Sequence, residues 1–141
     1  MDNNYEGLLL KNQLCFPLYA CARETIKLYK PFLDELDLTY TQYIAMLVLW
    51  EKKSVTVKEL GNDLFLDSGT LTPLLKKMEA KGLLLRRRSA DDERSLIVSL
   101  TRQGEALRDR AVQIPVQMAQ CVRLEPEEAA VLYRLLYKML G

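Results

Sequence analysis

The sequence contains no histidine, and its three cysteines form no CxxC pair. Histidine is the usual general base of serine and cysteine hydrolases and a common zinc ligand. Zinc sites also draw on closely spaced cysteines, which Cys15, Cys21 and Cys121 are not. We therefore expect no metal, no cofactor and no enzymatic activity.

The chain also has no run of about 18 apolar residues, so no membrane span is predicted. Its start, Met1–Glu6, is polar and acidic and lacks the basic segment that opens a secretory signal. We expect a cytoplasmic protein whose cysteines are kept as free thiols. The net charge is only +1, so a surface for nucleic acid has to be a local feature.

Residues 66–82 predict one short amphipathic helix with both ends marked. Asp67 or Ser68 can cap its start, and Gly82 suits the left-handed residue that ends a helix. Its buried stripe is Leu71, Leu74, Leu75 and Met78. Its opposite face, which is small, hydroxylated and cationic, carries Gly69, Thr72, Pro73, Lys76 and Lys77. Such a face suits a DNA groove, although taken alone it fits an ordinary surface helix better.

The neighbouring segments favour the DNA interpretation. Thr56–Glu59 is a capping box that opens a helix over 57–64, and a tight turn leads to the next helix. Residues 83–88 and 95–100 are predicted strands of a hairpin. Helix, turn, helix and hairpin in this order form a winged helix. Between Ser68 and Ala90, six basic residues against one acid give a local charge of +5, which suits phosphate.

Proline conflicts with two of the predicted helices. Pro73 falls near the fifth position of its helix, so either that helix begins after Ser68 or its first turn is irregular. Residues 8–36 predict a long apolar helix that Asn12 caps and that Pro31 should kink or end.

Further helices are expected around this part. Thr39–Gln42 is a capping box that opens a central, buried helix. Residues 105–121 predict a helix with a break near Pro115, and a last helix begins at Pro126.

The flanking helices carry more apolar surface than one small winged domain can bury, which favours pairing with a second copy of the chain. We therefore predict a single domain over 1–141. Within it, 1–36 and 105–141 are dimerisation helices, and 40–104 form the winged helix-turn-helix part.

The segments Leu66–Leu74, Lys81–Leu83, Arg87-Arg88, Asp91–Ser95 and Leu100-Thr101 resemble the MarR family of dimeric winged-helix regulators. The resemblance implies a mainly α fold with a small β-hairpin wing, and a homodimer bound to pseudo-palindromic double-stranded operator DNA. It also implies that Arg94 of the wing reaches a minor groove and that Asp92 steadies the wing. The residues expected to contact DNA are Ser68, Gly69, Thr70, Thr72, Pro73, Lys76, Lys77, Arg86, Arg87, Arg88 and Arg94.

Residues 12–20 and 38–43 are similar to the organic-hydroperoxide-sensing, OhrR-like branch of that family. The similarity implies that Cys15 reacts with peroxide and that Tyr19 and Tyr29 position it, with Tyr29 coming from the partner subunit. Some members of the branch join the reactive cysteine to a second cysteine of the other subunit. Cys121 is the candidate for that resolving role; otherwise it is a small interface residue and an external thiol takes the role.

The residues around Cys15 suit this chemistry. With Asn12 as the cap, Cys15 would occupy about the third helical position, where free N–H groups and the helix dipole favour a thiolate. A thiolate attacks a hydroperoxide and becomes a sulfenic acid, which condenses with another thiol. Apolar neighbours favour a bulky organic hydroperoxide; they are Leu14, Phe16 and Leu18. Without the resemblance, Cys15 would be better explained as a small buried hydrophobe, and Cys21 is expected in the core.

The sequence therefore predicts a redox-sensing transcriptional regulator, a repressor released from operator DNA when organic hydroperoxides oxidise Cys15. One alternative is a regulator of the same fold that binds phenolic or aromatic compounds, with Cys15 not a sensor. A small thiol peroxidase is a second alternative, but it leaves the basic helix and the wing unexplained. A purely helical interaction module is the third.

Overall fold

The computed structural model describes residues 3–141, so Met1 and Asp2 of the acidic start lie outside the described residues. Two short 3₁₀ segments, Asn3–Leu8 and Leu10–Asn12, precede the first α-helix. The remaining elements are α1 (Cys15–Asp34), α2 (Tyr40–Lys52), β1 (Ser54–Thr56), α3 (Val57–Leu64), α4 (Ser68–Ala80), β2 (Leu84–Arg88), β3 (Leu96–Leu100), α5 (Arg102–Ala111), α6 (Ile114–Ala119) and α7 (Pro126–Leu140).

The strands form one antiparallel sheet in the order β1-β3-β2. Leu84 lies opposite Leu100 and Arg88 opposite Leu96, which is the expected hairpin. The third strand, β1, was not predicted; its Val55 pairs with Val98. Together with α3 and α4 the hairpin completes a winged helix, so the predicted fold class is confirmed.

Helix α2 is the centre of the core, as its apolar circumference predicts. Ala45, Met46 and Leu49 are fully buried on it. The indole N–H of Trp50 donates to the carbonyl of Gly104 at 2.9 Å, which joins α2 to the first turn of α5.

The capping signals of α2, α3 and α4 are confirmed. Thr39 and Thr56 each close a complete capping box, and Asp67 rather than Ser68 caps α4. Gly82 follows α4 with φ +80°, in the left-handed region where a side chain would be strained.

The disturbance expected at Pro73 does not occur, because α4 begins at Ser68 and runs through the proline. Proline removes the hydrogen bond to the carbonyl four residues before it, which is that of Gly69. Gly69 lies on the exposed face, where water can satisfy that carbonyl. The hydroxyl of Thr72 adds a bond to the Ser68 carbonyl at 2.8 Å in the same turn.

The first helix differs from the prediction at both ends. Asn12 does not cap it; the Asn12 amide donates back to the carbonyl of Glu6 at 2.8 Å. Helix α1 instead begins at Cys15, and Pro31 lies inside it without ending it before Asp34. The predicted break near Pro115 is confirmed, since α5 ends at Ala111 and α6 begins at Ile114. Thr101 caps α5, as its place before Arg102–Gly104 predicts, and its hydroxyl accepts from the N–H of Gly104.

Much apolar surface is exposed at the two ends of the described chain. No residue of α7 is buried. The large exposed apolar side chains of α7 are Val131, Leu132, Tyr133, Leu135, Tyr137, Met139 and Leu140, and those near the start include Leu8, Leu9, Leu10, Leu14, Phe16 and Leu18. None of the helices described over residues 3–141 has the length and apolar character needed to cross a bilayer.

Candidate DNA-binding surface and sensor cysteine

Helix α4 presents an exposed, polar outer face. Its apolar residues Leu71, Leu75 and Met78 are buried, which fixes the rotation of the helix. The residues left exposed include Ser68, Gly69, Thr70, Thr72, Pro73, Lys76 and Lys77. This is the face that the sequence assigns to DNA.

The wing turn is organised by Asp92. One carboxylate oxygen accepts from the backbone N–H of Arg94 at 3.0 Å, and the Asp92 carbonyl accepts from the N–H of Ser95 at 3.0 Å. The N–H of Ser89 in turn donates to the carbonyl of Ser95 at 2.8 Å, which closes the hairpin. These bonds leave the Arg94 side chain exposed at the tip.

A groove of about 510 Å³ separates the wing from α3 and α4. Ser68 and Thr72 line it from α4, and Arg94 lines it from the wing. Lys58 and Asn62 of α3 line it too, and the sequence analysis did not assign them. The sequence could have indicated both residues as groove residues, because they take outward positions in the capped helix.

Arg86 faces inward, whereas Arg87 and Arg88 face solvent. The Arg86 guanidinium lies 3.1 Å from a Glu79 carboxylate oxygen, and the Arg86 backbone N–H donates to the other oxygen at 2.8 Å. Both bonds lower the pKa of Glu79, and the bond from the Arg86 side chain has the larger effect. Because its guanidinium is paired with Glu79, we no longer expect Arg86 to contact phosphate.

Replacing the two adjacent arginines should have different effects. Arg87→Ala should weaken DNA binding and reduce the slope of log affinity against log salt by about one per protomer, because one phosphate contact is lost. Arg86→Ala should leave that slope unchanged and lower the free energy of unfolding, because the Glu79 carboxylate loses the guanidinium that it pairs with. Fluorescence anisotropy across a salt series and urea denaturation measure the two quantities. Equal salt slopes for the two variants would contradict this assignment.

Cys15 is exposed and is the first residue of α1, rather than about the third. Tyr19 lies one turn further on the same side, with the Arg23 guanidinium 5.5 Å from its ring centre. Tyr29 is about 21 Å from Cys15 along the helix axis, at 1.5 Å per residue. Tyr29 of the same protomer therefore cannot contact Cys15, which agrees with its expected supply by a partner subunit.

Tyr29 belongs to an aromatic cluster that joins α1 to α2. Its ring centre lies 5.0 Å from that of Tyr40 and 5.7 Å from that of Tyr43, and Tyr43 meets Trp50 edge-on at 6.4 Å. Burial raises the pKa of Tyr29 and of Tyr40, and raises that of Tyr43 to about 12, so these phenols stay protonated and able to donate. The sequence analysis did not assign Tyr40, although it stands in the first turn of α2.

The other two cysteines also differ from one another. Cys21 is exposed, so its predicted place in the core is wrong; α1 buries only Leu33, near its far end. Cys121 follows α6 and is half-buried, with its sulfur 3.5 Å from the Gln117 carbonyl oxygen.

Comparison with known proteins gives a consistent result. The profile of the transcriptional regulator SarA/Rot family matches residues 27–111. The organic hydroperoxide resistance transcriptional regulator of Bacillus subtilis is 49% identical over 140 residues, which cover 99% of this chain and 95% of that protein. The HTH-type transcriptional regulator SarZ of Staphylococcus aureus is 42% identical over 92% of this chain and 85% of its own length.

Solved structures of AbfR from Staphylococcus epidermidis have the same fold. Overoxidised AbfR bound to DNA is 34% identical and superposes with a TM-score of 0.78, covering 96% of this chain and 95% of that one. Reduced AbfR bound to DNA is 33% identical and has a TM-score of 0.78, covering 96% of this chain and 94% of that one. Disulfide-formed AbfR is 33% identical and has a TM-score of 0.67, covering 96% of each chain.

Proposed function

Because this chain belongs to the MarR/SarA-type winged-helix transcriptional regulators, in the branch of the Bacillus organic hydroperoxide regulator, we propose that it is a peroxide-responsive repressor. It binds operator DNA while Cys15 is reduced and leaves it when an organic hydroperoxide oxidises that cysteine. The observation that carries the proposal is the exposed Cys15 at the start of a helix whose other end meets the DNA-binding half. The chain acts by binding and not as an enzyme.

The proposed DNA-bound form is a homodimer that places two α4 helices in successive major grooves, about one helical turn apart. The exposed polar face of α4 reads the grooves. Lys76, Lys77, Arg87 and Arg88 contact phosphates, and Arg94 enters a minor groove. The unburied α7 and the apolar start of the chain support the dimer, because their exposed apolar side chains would be covered by a second copy.

The proposed sensing step begins with the Cys15 thiolate, which attacks one oxygen of the hydroperoxide. An S–O bond forms and the O–O bond breaks, so the sulfur becomes a sulfenic acid and the peroxide is reduced to an alcohol. Phenol groups of Tyr19 and of the partner's Tyr29 hold the thiolate beforehand, and Tyr40 packs against Tyr29.

A second thiol then attacks the sulfur of the sulfenic acid. An S–S bond forms, the S–O bond breaks, and the oxygen leaves as water. We propose Cys121 of the other subunit for this role, and the disulfide-formed state of AbfR supports it. Formation of the disulfide shifts the helices that space the two α4 helices. Reduced and overoxidised AbfR have both been solved on DNA, which supports the disulfide rather than oxidation alone as the releasing event.

Cys15→Ser tests this function. Operator affinity, measured by fluorescence anisotropy, should match that of the reduced wild type and should not change with cumene hydroperoxide. The treated wild type should lose about a hundredfold in affinity, within the range of allosteric couplings. Cys21→Ser is the matched control, because Cys21 is exposed on the same helix and should leave the response intact. Release of the Cys15→Ser protein by peroxide would overturn the proposal.

The same samples decide the resolving thiol. On a non-reducing gel the oxidised wild type should run as a cross-linked dimer that Cys121→Ser lacks. If the wild type is released without a cross-link, a small external thiol resolves the sulfenic acid.

One observation favours the ligand-responsive alternative. A cleft of about 270 Å³ lies between α1 and α2, with Ile26, Leu33 and Tyr40 among its lining residues. If a phenolic acid such as salicylate, and not peroxide, releases both the wild type and Cys15→Ser, this alternative replaces the first.

A further inference from the structure

We infer that Lys81 transmits the position of α1 to the reading helix α4, as a positioning residue for the peroxide response. The inference rests on the proposed function. Lys81 directly follows α4, and its side chain contacts Asp37 in the loop that joins α1 to α2 and Gln42 in the first turn of α2.

The ammonium group of Lys81 donates to two oxygens of that region. One is the backbone carbonyl of Asp37, and the other is the side-chain oxygen of Gln42, at 3.1 Å. The Asp37 carboxylate lies further away, at 3.6 Å, and is almost fully exposed. Lys81 is therefore held mainly by hydrogen bonds to neutral oxygens. Salt screens such bonds less than it screens a surface ion pair.

Gln42 fixes the position of the Lys81 ammonium group. It is the one buried polar residue among the residues the structure describes, with 3% of its surface exposed. Its side-chain oxygen also accepts from the backbone N–H of Thr39 at 3.1 Å in the capping box of α2. One oxygen thus joins the start of α2 to the end of α4.

A second cation holds the same end of α1. Arg110 of α5 donates to the carbonyl of Glu35, the residue directly after α1, at 2.7 Å. Cations at the carbonyl end of a helix also interact favourably with its dipole. The C-terminal end of α1 is therefore joined to α4 through Lys81 and to α5 through Arg110.

These contacts lie at the opposite end of α1 from Cys15. Helix α1 has 20 residues, so about 30 Å separate its ends. Among the described residues, Lys81 makes the side-chain hydrogen bonds that join the end of α4 to the α1–α2 loop, at Asp37, and to the start of α2, at Gln42. A displacement of α1 that begins at Cys15 reaches α4 through this residue, which the local charge count had grouped with the phosphate-binding cations.

Lys81→Met tests the inference, with the ratio of operator dissociation constants, oxidised over reduced, as the readout. The ratio should fall at least about fivefold, because α4 no longer follows α1. Gln42 keeps its bond from Thr39, so the variant should remain folded; circular dichroism checks this. Lys81→Arg, which keeps a cationic donor, should retain most of the ratio.

Lys30→Met is the matched control. Lys30 lies on α1 and pairs only with Asp34 of the same helix among the described residues, so the ratio should equal that of the wild type. A Lys81→Met protein with the wild-type ratio overturns the inference, including one in which both affinities fall equally. If the wild type itself shows no change on oxidation, the proposed function fails and this inference fails with it.

Discussion

Leu132→Glu should separate the dimer and lower operator affinity by about a thousandfold. Leu132 lies on the apolar stripe of α7, where it is 45% exposed in one protomer. Burying such a side chain is worth about 2 kcal/mol, and a twofold interface contains it twice. The substitution therefore removes about 4 kcal/mol of dimerisation free energy, which corresponds to a factor of about a thousand in the equilibrium constant. The cost of dehydrating two carboxylates adds to this loss. Analytical ultracentrifugation and fluorescence anisotropy measure the two effects.

Arg134→Glu is the matched control for this substitution. At 100° per residue Arg134 lies roughly opposite Leu132 on α7, in a sector that also holds Glu127 and Lys138. The same glutamate there should leave the dimer intact. If Leu132→Glu remains dimeric at micromolar concentration, the stripe of α7 is not the interface.

Gly104→Ala should lower the free energy of unfolding by about 3 kcal/mol. A Cβ at this position would lie 2.2 Å from the Leu83 carbonyl oxygen and 2.7 Å from a methyl carbon of Leu100. The backbone has little room to move away, because the Gly104 carbonyl accepts from the Trp50 indole and its N–H donates to the Thr101 hydroxyl. Thermal denaturation followed by circular dichroism measures the loss.

The control for this substitution is Gly69→Ala, also in the first turn of a helix. The nearest atom to a Cβ there is a carboxylate oxygen of Asp67 at 3.4 Å, an ordinary contact. Alanine is favoured over glycine in a helix by about 1 kcal/mol, so Gly69→Ala should be neutral or stabilising. Equal melting temperatures for the two variants would show that α5 and the sheet pack less closely than described.

Local signals in the sequence predicted most of the helix-turn-helix. Both capping boxes and the Gly82 terminus depend on bonds between residues a few positions apart, so their patterns are visible in the sequence. The strand β1 is not visible in this way. It has three residues, and its partner β3 lies more than forty positions away in the sequence.

The remaining differences come from packing. Charge alone cannot distinguish Arg86 from Arg87; the register of β2 turns one of them toward Glu79. Cys21 looked like a core residue because α1 is apolar, but one protomer offers nothing to cover that part of the helix. The role of Lys81 depends on the buried oxygen of Gln42, 39 positions away, which no local pattern indicates.

Trp50 is the single tryptophan of the chain, and it lies between the tyrosine cluster that joins α1 to α2 and the first turn of α5. Its emission therefore reports from one defined place, and excitation energy absorbed by Tyr43 can reach it over a short distance. The protein carries an intrinsic fluorophore where α1, α2 and α5 meet, so rearrangement of that junction can be followed in real time without a label.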